Sequence, residues 1–120
     1  MYYVYILRCA DGSLYTGITS EPRRRFAEHI SGNRGAKYTR MHRPEAPAAL
    51  WEAGTHTDAA SLEWRIKRLR RAQKLALLEN PDMAARLLPP ERRETLRSVP
   101  KEESAALWPQ SDEQKDIHLI

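Results

Sequence analysis

The sequence predicts a mixed α/β (α+β) fold: a small three-stranded sheet, antiparallel or mixed, opened by an N-terminal β-hairpin and flanked by helices. Three observations predict it. Residues 2–8 and 14–19 are aromatic and β-branched runs, joined by Cys9-Ala10-Asp11-Gly12-Ser13 with its Asp-Gly turn signal. A further short apolar run, residues 48–53, is bounded by Pro44, Pro47 and Gly54 and reads as a third strand. Between and after these runs lie stretches with apolar residues at helical spacing. A sheet this small buries its faces by taking helices onto them.

The elements follow in order. Across the hairpin, loop length decides which side chains share a face. A two-residue Asp11-Gly12 loop would put Tyr15 with Val4, Ile6 and Arg8, and Tyr5 on the other side. A three-residue loop with a glycine-bearing bulge would put Tyr5, Tyr15 and Gly17 together. Ser20-Glu21-Pro22 then reads as a helix start, with Ser20 as N-cap and Pro22 in the first turn. That helix runs to about Ile30 and stops at Ser31-Gly32-Asn33. Arg34-Gly35-Ala36-Lys37-Tyr38-Thr39-Arg40 is expected to be a loop. A second long helix is expected from Thr57-Asp58, carrying Ala59, Leu62, Ile66 and Leu69 inward. Residues 72–79 continue helically after a bend, and Asn80-Pro81 closes the run. Beyond it, Pro89-Pro90, Pro100 and Pro109 leave room for a short helix around residues 91–97. The last dozen residues read either as a mobile end or as one docked by Leu107-Trp108.

Size and charge narrow the function. The 120 residues, 41% of them hydrophobic, suffice for one compact core and little more. The expected division is a functional domain over residues 1–80 and a partly helical extension over 81–120. The net charge is +4, but residues 1–80 carry an excess of +6 and residues 81–120 a balance of −2. An anionic partner is therefore expected on the N-terminal part. No run of about 18 apolar residues offers a membrane span. The opening Met1-Tyr2-Tyr3-Val4-Tyr5-Ile6-Leu7 lacks the pattern of a signal peptide. Cys9 is the single cysteine, which excludes an internal disulfide or a cysteine-based zinc site. A reduced, cytoplasmic setting is expected.

The basic segment holds the residues capable of chemistry. Val4-Tyr5-Ile6 lies on the first strand and Tyr15-Thr16-Gly17 on the second. Arg25 and His29 stand four apart on the first helix, facing the same way. Beside Phe26 and Ile30, both are expected at the rim of the core. Glu63 follows Leu62 and precedes Ile66, at the edge of an apolar face, where a carboxylate can hold a hard cation. Taken one at a time, each has an ordinary reading: tyrosines that pack, a solvated Arg23-Arg24-Arg25 face, a Glu63–Lys67 surface pair, a core-edge histidine, and Gly17 relieving a strand bend.

Together and in this order, the two strand tyrosines, the arginine–histidine pair and the helical glutamate resemble the GIY-YIG nuclease superfamily, in its small stand-alone branch. The hairpin from Tyr3 to Thr19, Gly35-Ala36-Lys37-Tyr38-Thr39-Arg40 and Leu62-Glu63-Trp64-Arg65-Ile66-Lys67-Arg68-Leu69 carry the likeness, over residues 2 to about 79. The first motif reads Val-Tyr-Ile, matching the family only at its tyrosine. Lys74-Leu75-Ala76 stands where several relatives have an asparagine. The resemblance implies a GIY-YIG-like fold and metal-dependent hydrolysis of phosphodiesters in nucleic acid, with one divalent ion, Mg²⁺ or Mn²⁺. It gives Glu63 to the metal, Arg25 to the phosphate charge, Tyr5 to the general base, and Tyr15 and His29 to supporting hydrogen bonds. On chemical grounds alone His29 is the easier base, since a phenol titrates near ~10 and an imidazole near ~6.5.

DNA is favoured over RNA as the partner; a single-stranded or structured substrate is expected, because so small a surface has little room to read a long duplex site. Arg34, Lys37, Tyr38 and Arg40, with Lys67, are the expected nucleic-acid contacts, with Tyr38 stacking on an unpaired base. Arg65 to Lys74 is either a solvated basic face or a second contact. Trp51 and Trp64 are expected in the core. The rival reading is a binding module of the same fold that has lost turnover; a third is an interaction module whose partner docks on the tail.

Overall fold

A computed structural model describes residues 1–32 and 37–109 of the chain; Arg34, Gly35, Ala36 and the expected end of the tail lie outside the described residues. The hairpin consists of β1 (Tyr2–Cys9) and β2 (Leu14–Thr19), antiparallel, with Tyr5 opposite Gly17 and Leu7 opposite Tyr15. Its connection is the three-residue form. The Gly12 amide donates to the Cys9 carbonyl at 2.9 Å, the Cys9 amide donates to the Ser13 carbonyl at 2.9 Å, and Gly12 has φ 85°. Only a glycine adopts that conformation without strain. Asp11 Oδ1 accepts from the Ser13 amide at 3.0 Å and fixes the turn.

Helix α1 (Pro22–Ser31) follows at once. Its cap position is Glu21 rather than Ser20, and Glu21 makes no side-chain cap. Instead Thr19 Oγ1 accepts from the Glu21 amide at 3.0 Å, so the hydroxyl that orders the entry belongs to the strand end. Lys37–Met41 forms a short helix, α2, where a loop was expected. Strand β3 (Pro44–Ala53) begins four residues earlier than the sequence suggests. Pro44 and Pro47 read as boundaries, yet they face Cys9 and Leu7 next to register irregularities between Ile6 and Leu7 and between Arg8 and Cys9. A proline is tolerated in a strand at such places, where the ladder is already broken.

Helices α3 (His56–Lys67) and α4 (Arg71–Glu79) come next, separated by the expected bend. Thr55 caps α3, its hydroxyl accepting from the Asp58 amide at 3.1 Å. Residues Pro81–Leu87 and Pro90–Arg92 are 3₁₀ turns rather than the short helix expected near 91–97. Arg97–Ser98 instead forms β4, pairing with Trp51 and Glu52, and α5 (Lys101–Leu107) closes the described chain. The sheet therefore has four strands, not three, in the order β2-β1-β3-β4, all antiparallel. A two-residue strand carries no periodicity to read; the Arg97–Glu52 ion pair at 3.2 Å fastens it.

Alternation along β1 splits the core in two. Val4 and Ile6 join Ala49, Trp51 and Ala53 of β3 beneath Ala59, Leu62 and Ile66 of α3, with Leu77, Ala84 and Leu88. On the opposite face Tyr5 and Leu7 pack with Leu50 and Phe26, and Tyr15, Val99, Leu107 and Trp108 close the edges. Each fully buried aliphatic or aromatic side chain contributes about 1.5–3 kcal/mol, so the second, smaller cluster depends on the tail residues that cover it. Trp51 is buried and its indole N–H donates to the Pro81 carbonyl at 2.8 Å. Trp64 is not in the core: 57% of it is exposed, with the Arg68 guanidinium 4.6 Å from its ring. Two positions beyond Leu62 on a helix, its side chain points away from the sheet.

Candidate active site

Tyr5 is the centre of the second cluster and only 1% exposed. Its ring lies against Gly17, across the ladder. A Cβ at Gly17 would meet the Tyr5 hydroxyl at 2.5 Å and Cζ at 2.6 Å, so close approach, rather than backbone freedom, demands glycine here. Phe26 of α1 meets the Tyr5 ring edge-on at 5.4 Å. One turn further along α1, His29 Nε2 lies 2.8 Å from the Tyr5 hydroxyl. His29 is buried, not at the rim as its spacing suggested, because α1 lies close over the sheet and Thr39 of α2 covers its far side. Thr39 Oγ1 is 2.8 Å from His29 Nδ1.

Arg25, one helical turn before His29, hydrogen-bonds the Tyr5 hydroxyl and also donates to Glu28 Oε1 at 2.9 Å. Its side chain is part-exposed, at the mouth of the cluster. Burial pushes the Tyr5 phenol well above its ordinary value; Tyr15 adds to this, and Arg25 opposes it. Burial also brings the His29 imidazole down to about 4, with the positive charge of Arg25 acting in the same direction. At neutral pH His29 is thus an uncharged ring.

Tyr15 shares the face of Tyr5, at 6.3 Å between ring centres, and meets His29 edge-on at 5.3 Å. Tyr38 of α2 stacks on Tyr15 at 5.6 Å on one side and on His42 at 4.2 Å on the other. Tyr38, the residue expected to stack on an unpaired base, thus has protein rings as neighbours and is 36% exposed. His42 Nδ1 lies 2.5 Å from Asp11 Oδ2, and the Ala10 amide donates to the Arg43 carbonyl at 2.8 Å, so α2 is moored to the hairpin turn. Hydrogen bonds from Ser13, and then from His42, hold the Asp11 carboxyl well below the usual carboxylate range.

Glu63 comes from the other layer. Its helix packs on the opposite sheet face, along β1 and β2, and its carboxylate contributes only a weak field at Tyr5. Its nearest charged partner is Lys67, at 3.4 Å. Lys37 and Arg40 are exposed on α2, while Arg34 lies outside the described residues. Part of the basic run is engaged within the chain: Arg71 donates to the Gly12 carbonyl at 2.9 Å, Arg65 to Ser61 Oγ at 3.4 Å, and Arg68 covers Trp64. Tyr5, Tyr15, Gly17, Arg25 and His29 therefore converge, and Glu63 approaches from across the sheet. Thr39, His42 and Asp11 were missed as site-building residues. Had residues 37–41 been read as a helical turn, the i,i+4 pair Tyr38 and His42 would have shown the stack.

A family model for the GIY-YIG catalytic domain matches residues 1–76. The chain belongs to the GIY-YIG family. Among proteins similar to this GIY-YIG chain, a UPF0213 protein of Halobacterium salinarum is 46% identical over 77 residues, 64% of this chain and 99% of that protein. A UPF0213 protein of Cupriavidus necator is 47% identical over 75 residues, 62% of this chain and 80% of its own length. The solution NMR structure of a UPF0213 protein from Bacillus halodurans matches with 38% identity and a TM-score of 0.46, over 79% of this chain and 95% of that one. The family is one of nucleases, whose members generally use divalent metal ions. No helix among the described residues is long and apolar enough to cross a membrane.

Proposed function

We propose that this GIY-YIG protein is a metal-dependent endonuclease that hydrolyses phosphodiester bonds in nucleic acid, with DNA favoured over RNA. The observation that carries the reading is the Tyr5 hydroxyl, held between the Arg25 guanidinium and His29 Nε2 at 2.8 Å. Arginine can only donate, so the Tyr5 oxygen accepts from Arg25 and its own proton goes to the neutral imidazole. A water attacking phosphorus would give its proton to the Tyr5 oxygen while the phenolic proton moves to His29 Nε2. No free phenolate has to accumulate, so the raised phenol value is no obstacle. Tyr5 and His29 then act as one base rather than as competitors for the role.

Arg25 supplies donors for the negative charge that develops on the phosphate. Its own charge is one reason His29 is so weakly basic. A phosphate bound to Arg25 would offset that field and raise the affinity of His29 for the proton when it is needed. Tyr15 orders the aromatic wall around His29.

Glu63 is the candidate metal ligand, and the described residues hold no cluster of three or more acidic, histidine or cysteine side chains. One carboxylate fits an ion that takes its other ligands from water and phosphate oxygens, as Mg²⁺ commonly does. Held there, a divalent ion would supply positive charge beside the phosphate and the leaving oxygen. Lys67 would yield its place on the carboxylate and, with Lys37 and Arg40, face the polymer backbone. In this reading residues 1–80 are the nuclease unit and 81–120 an extension, whose described part, residues 81–109, packs on both faces of the sheet.

The test is cleavage of labelled single-stranded, duplex and branched DNA, and of RNA, with Mg²⁺ or Mn²⁺, beside Glu63→Ala. Cleavage by the parent that is absent in the variant is the expected result. The Glu63–Lys67 pair favours the second reading, a binding module without turnover. Binding of these polymers without cleavage of any would establish that one instead.

A further inference from the structure

We infer that Thr39 is a positioning residue, which fixes the tautomer of His29 and so keeps Nε2 free to accept the Tyr5 proton. The inference deepens the proton-relay reading above and rests on it for its catalytic consequence. The tautomer itself is measurable whether or not the protein cleaves anything.

The geometry is a one-way chain. Arg25 has donors only, and one of them reaches the Tyr5 oxygen. The Tyr5 hydroxyl is buried, and the acceptor at hydrogen-bond distance is His29 Nε2, at 2.8 Å. An uncharged imidazole that accepts at Nε2 carries its proton at Nδ1. Nδ1 faces Thr39 Oγ1 at 2.8 Å, and a hydroxyl oxygen can accept there while its own proton is used elsewhere. Thr39 is only 2% exposed, so water does not substitute for it.

The surroundings hold Thr39 in place. It sits on the five-residue α2, too short to be stable by itself. Three contacts fasten that segment: Tyr38 between the rings of Tyr15 and His42, His42 on Asp11, and the Ala10 amide on the Arg43 carbonyl. All three run to the hairpin or its turn, the element that also carries Tyr5 and Tyr15. The turn therefore sets both ends of the chain, the hydroxyl that gives the proton and the hydroxyl that orients the ring receiving it.

The experiment uses full-length protein labelled with ¹⁵N-histidine, with His29 assigned by comparison with His29→Gln. Long-range ¹H–¹⁵N correlation at neutral pH reads which ring nitrogen bears the proton. Wild type and Thr39→Ser are expected to show the Nδ1–H form, and Thr39→Val a shift of population toward Nε2–H. With the substrate found for the parent, Thr39→Val should lower kcat by about 10²-fold or more at little cost in KM, and Thr39→Ser should restore it. An Nε2–H form in the wild type overturns the inference, and so does a fall in kcat in Thr39→Val without the tautomer change. A shifted tautomer with wild-type kcat overturns it as well. If Thr39→Val does not fold, the wild-type spectrum and Thr39→Ser still decide. A parent that cleaves no polymer defeats the nuclease reading alone, since the tautomer assignment is unaffected.

Discussion

Gly17→Ala tests the central geometry with a single methyl group. The added Cβ would stand 2.5 Å from the Tyr5 hydroxyl and 2.6 Å from Cζ, where ordinary contact begins at 3.4 Å. Something must give by about 1 Å, and the neighbours restrict what can. The phenol ring is rigid, 1% exposed, wedged against Phe26 and tied to His29. Moving the hydroxyl lengthens its bond to His29 Nε2; moving β2 disturbs the pairing that places Tyr15. Overpacking of this kind costs about 1–3 kcal/mol of stability. A 1 Å displacement of a reacting group can cost about 10²-fold in rate. Urea denaturation measures the first and steady-state cleavage the second. The expected result is a folded protein, destabilised by about 2 kcal/mol, with kcat reduced about 10²-fold and nucleic-acid affinity nearly unchanged. An alanine variant as stable and as active as the parent would falsify the placement of Tyr5 against Gly17.

Two further outcomes are expected. Arg25→Ala should lose about 10²–10³-fold in cleavage and far less in binding, measured by single-turnover kinetics and by titration of labelled DNA; equal losses would make Arg25 a simple phosphate contact. His29 should make stability depend on pH. Its folded value lies at about 4 against an ordinary 6.5, so between these values the unfolded chain binds the proton and the folded chain does not. The His29 contribution is therefore complete above pH 6.5 and is lost as pH falls toward 4, by about 3 kcal/mol in all. Urea titrations from pH 4 to 7 should show this slope in the parent and not in His29→Gln, and a parent with no slope there refutes a buried neutral imidazole.

The hairpin was legible in the sequence because its signals are local. Asp11-Gly12 specifies a turn and alternation specifies the faces, but two loop lengths fitted these signals; the bulge at Gly12 is what puts Tyr5, Tyr15 and Gly17 on one side. Pro44 and Pro47 misled because proline marks an irregular ladder as well as a strand end. Only the partner strand, with its register shifts at Leu7 and Cys9, tells the two apart. Arg97–Ser98 is too short to have a period. His29 was placed at the rim because helical spacing gives the direction of a side chain but not how closely a second element covers it. Thr39, which covers it, comes from a segment whose five-residue helix is held by tertiary contacts rather than by propensity. Trp64 went astray for the opposite reason: an aromatic residue in an apolar run suggests burial, although it stands off the stripe of Ala59, Leu62 and Ile66.

The proposed site draws on both layers of the molecule. Tyr5, Arg25 and His29 belong to the cluster under α1, while Glu63 is carried by a helix whose apolar stripe anchors the opposite face of the sheet. The distance between carboxylate and hydroxyl is thus set through strands β1 and β2 rather than by any direct bond. Two tail segments bear on it as well. Ala84 and Leu88 complete the core beneath α3, and Leu107 with Trp108 completes the one beneath α1, where the Trp108 ring lies 5.3 Å from Phe26. Phe26 stands between Arg25 and His29 in register on α1, so what presses on its ring also fixes how those two side chains reach Tyr5. The Halobacterium relative, by contrast, is matched over 99% of its length by only 64% of this chain. In this chain residues 81–109 brace both halves of the proposed site, to which they contribute none of the candidate groups.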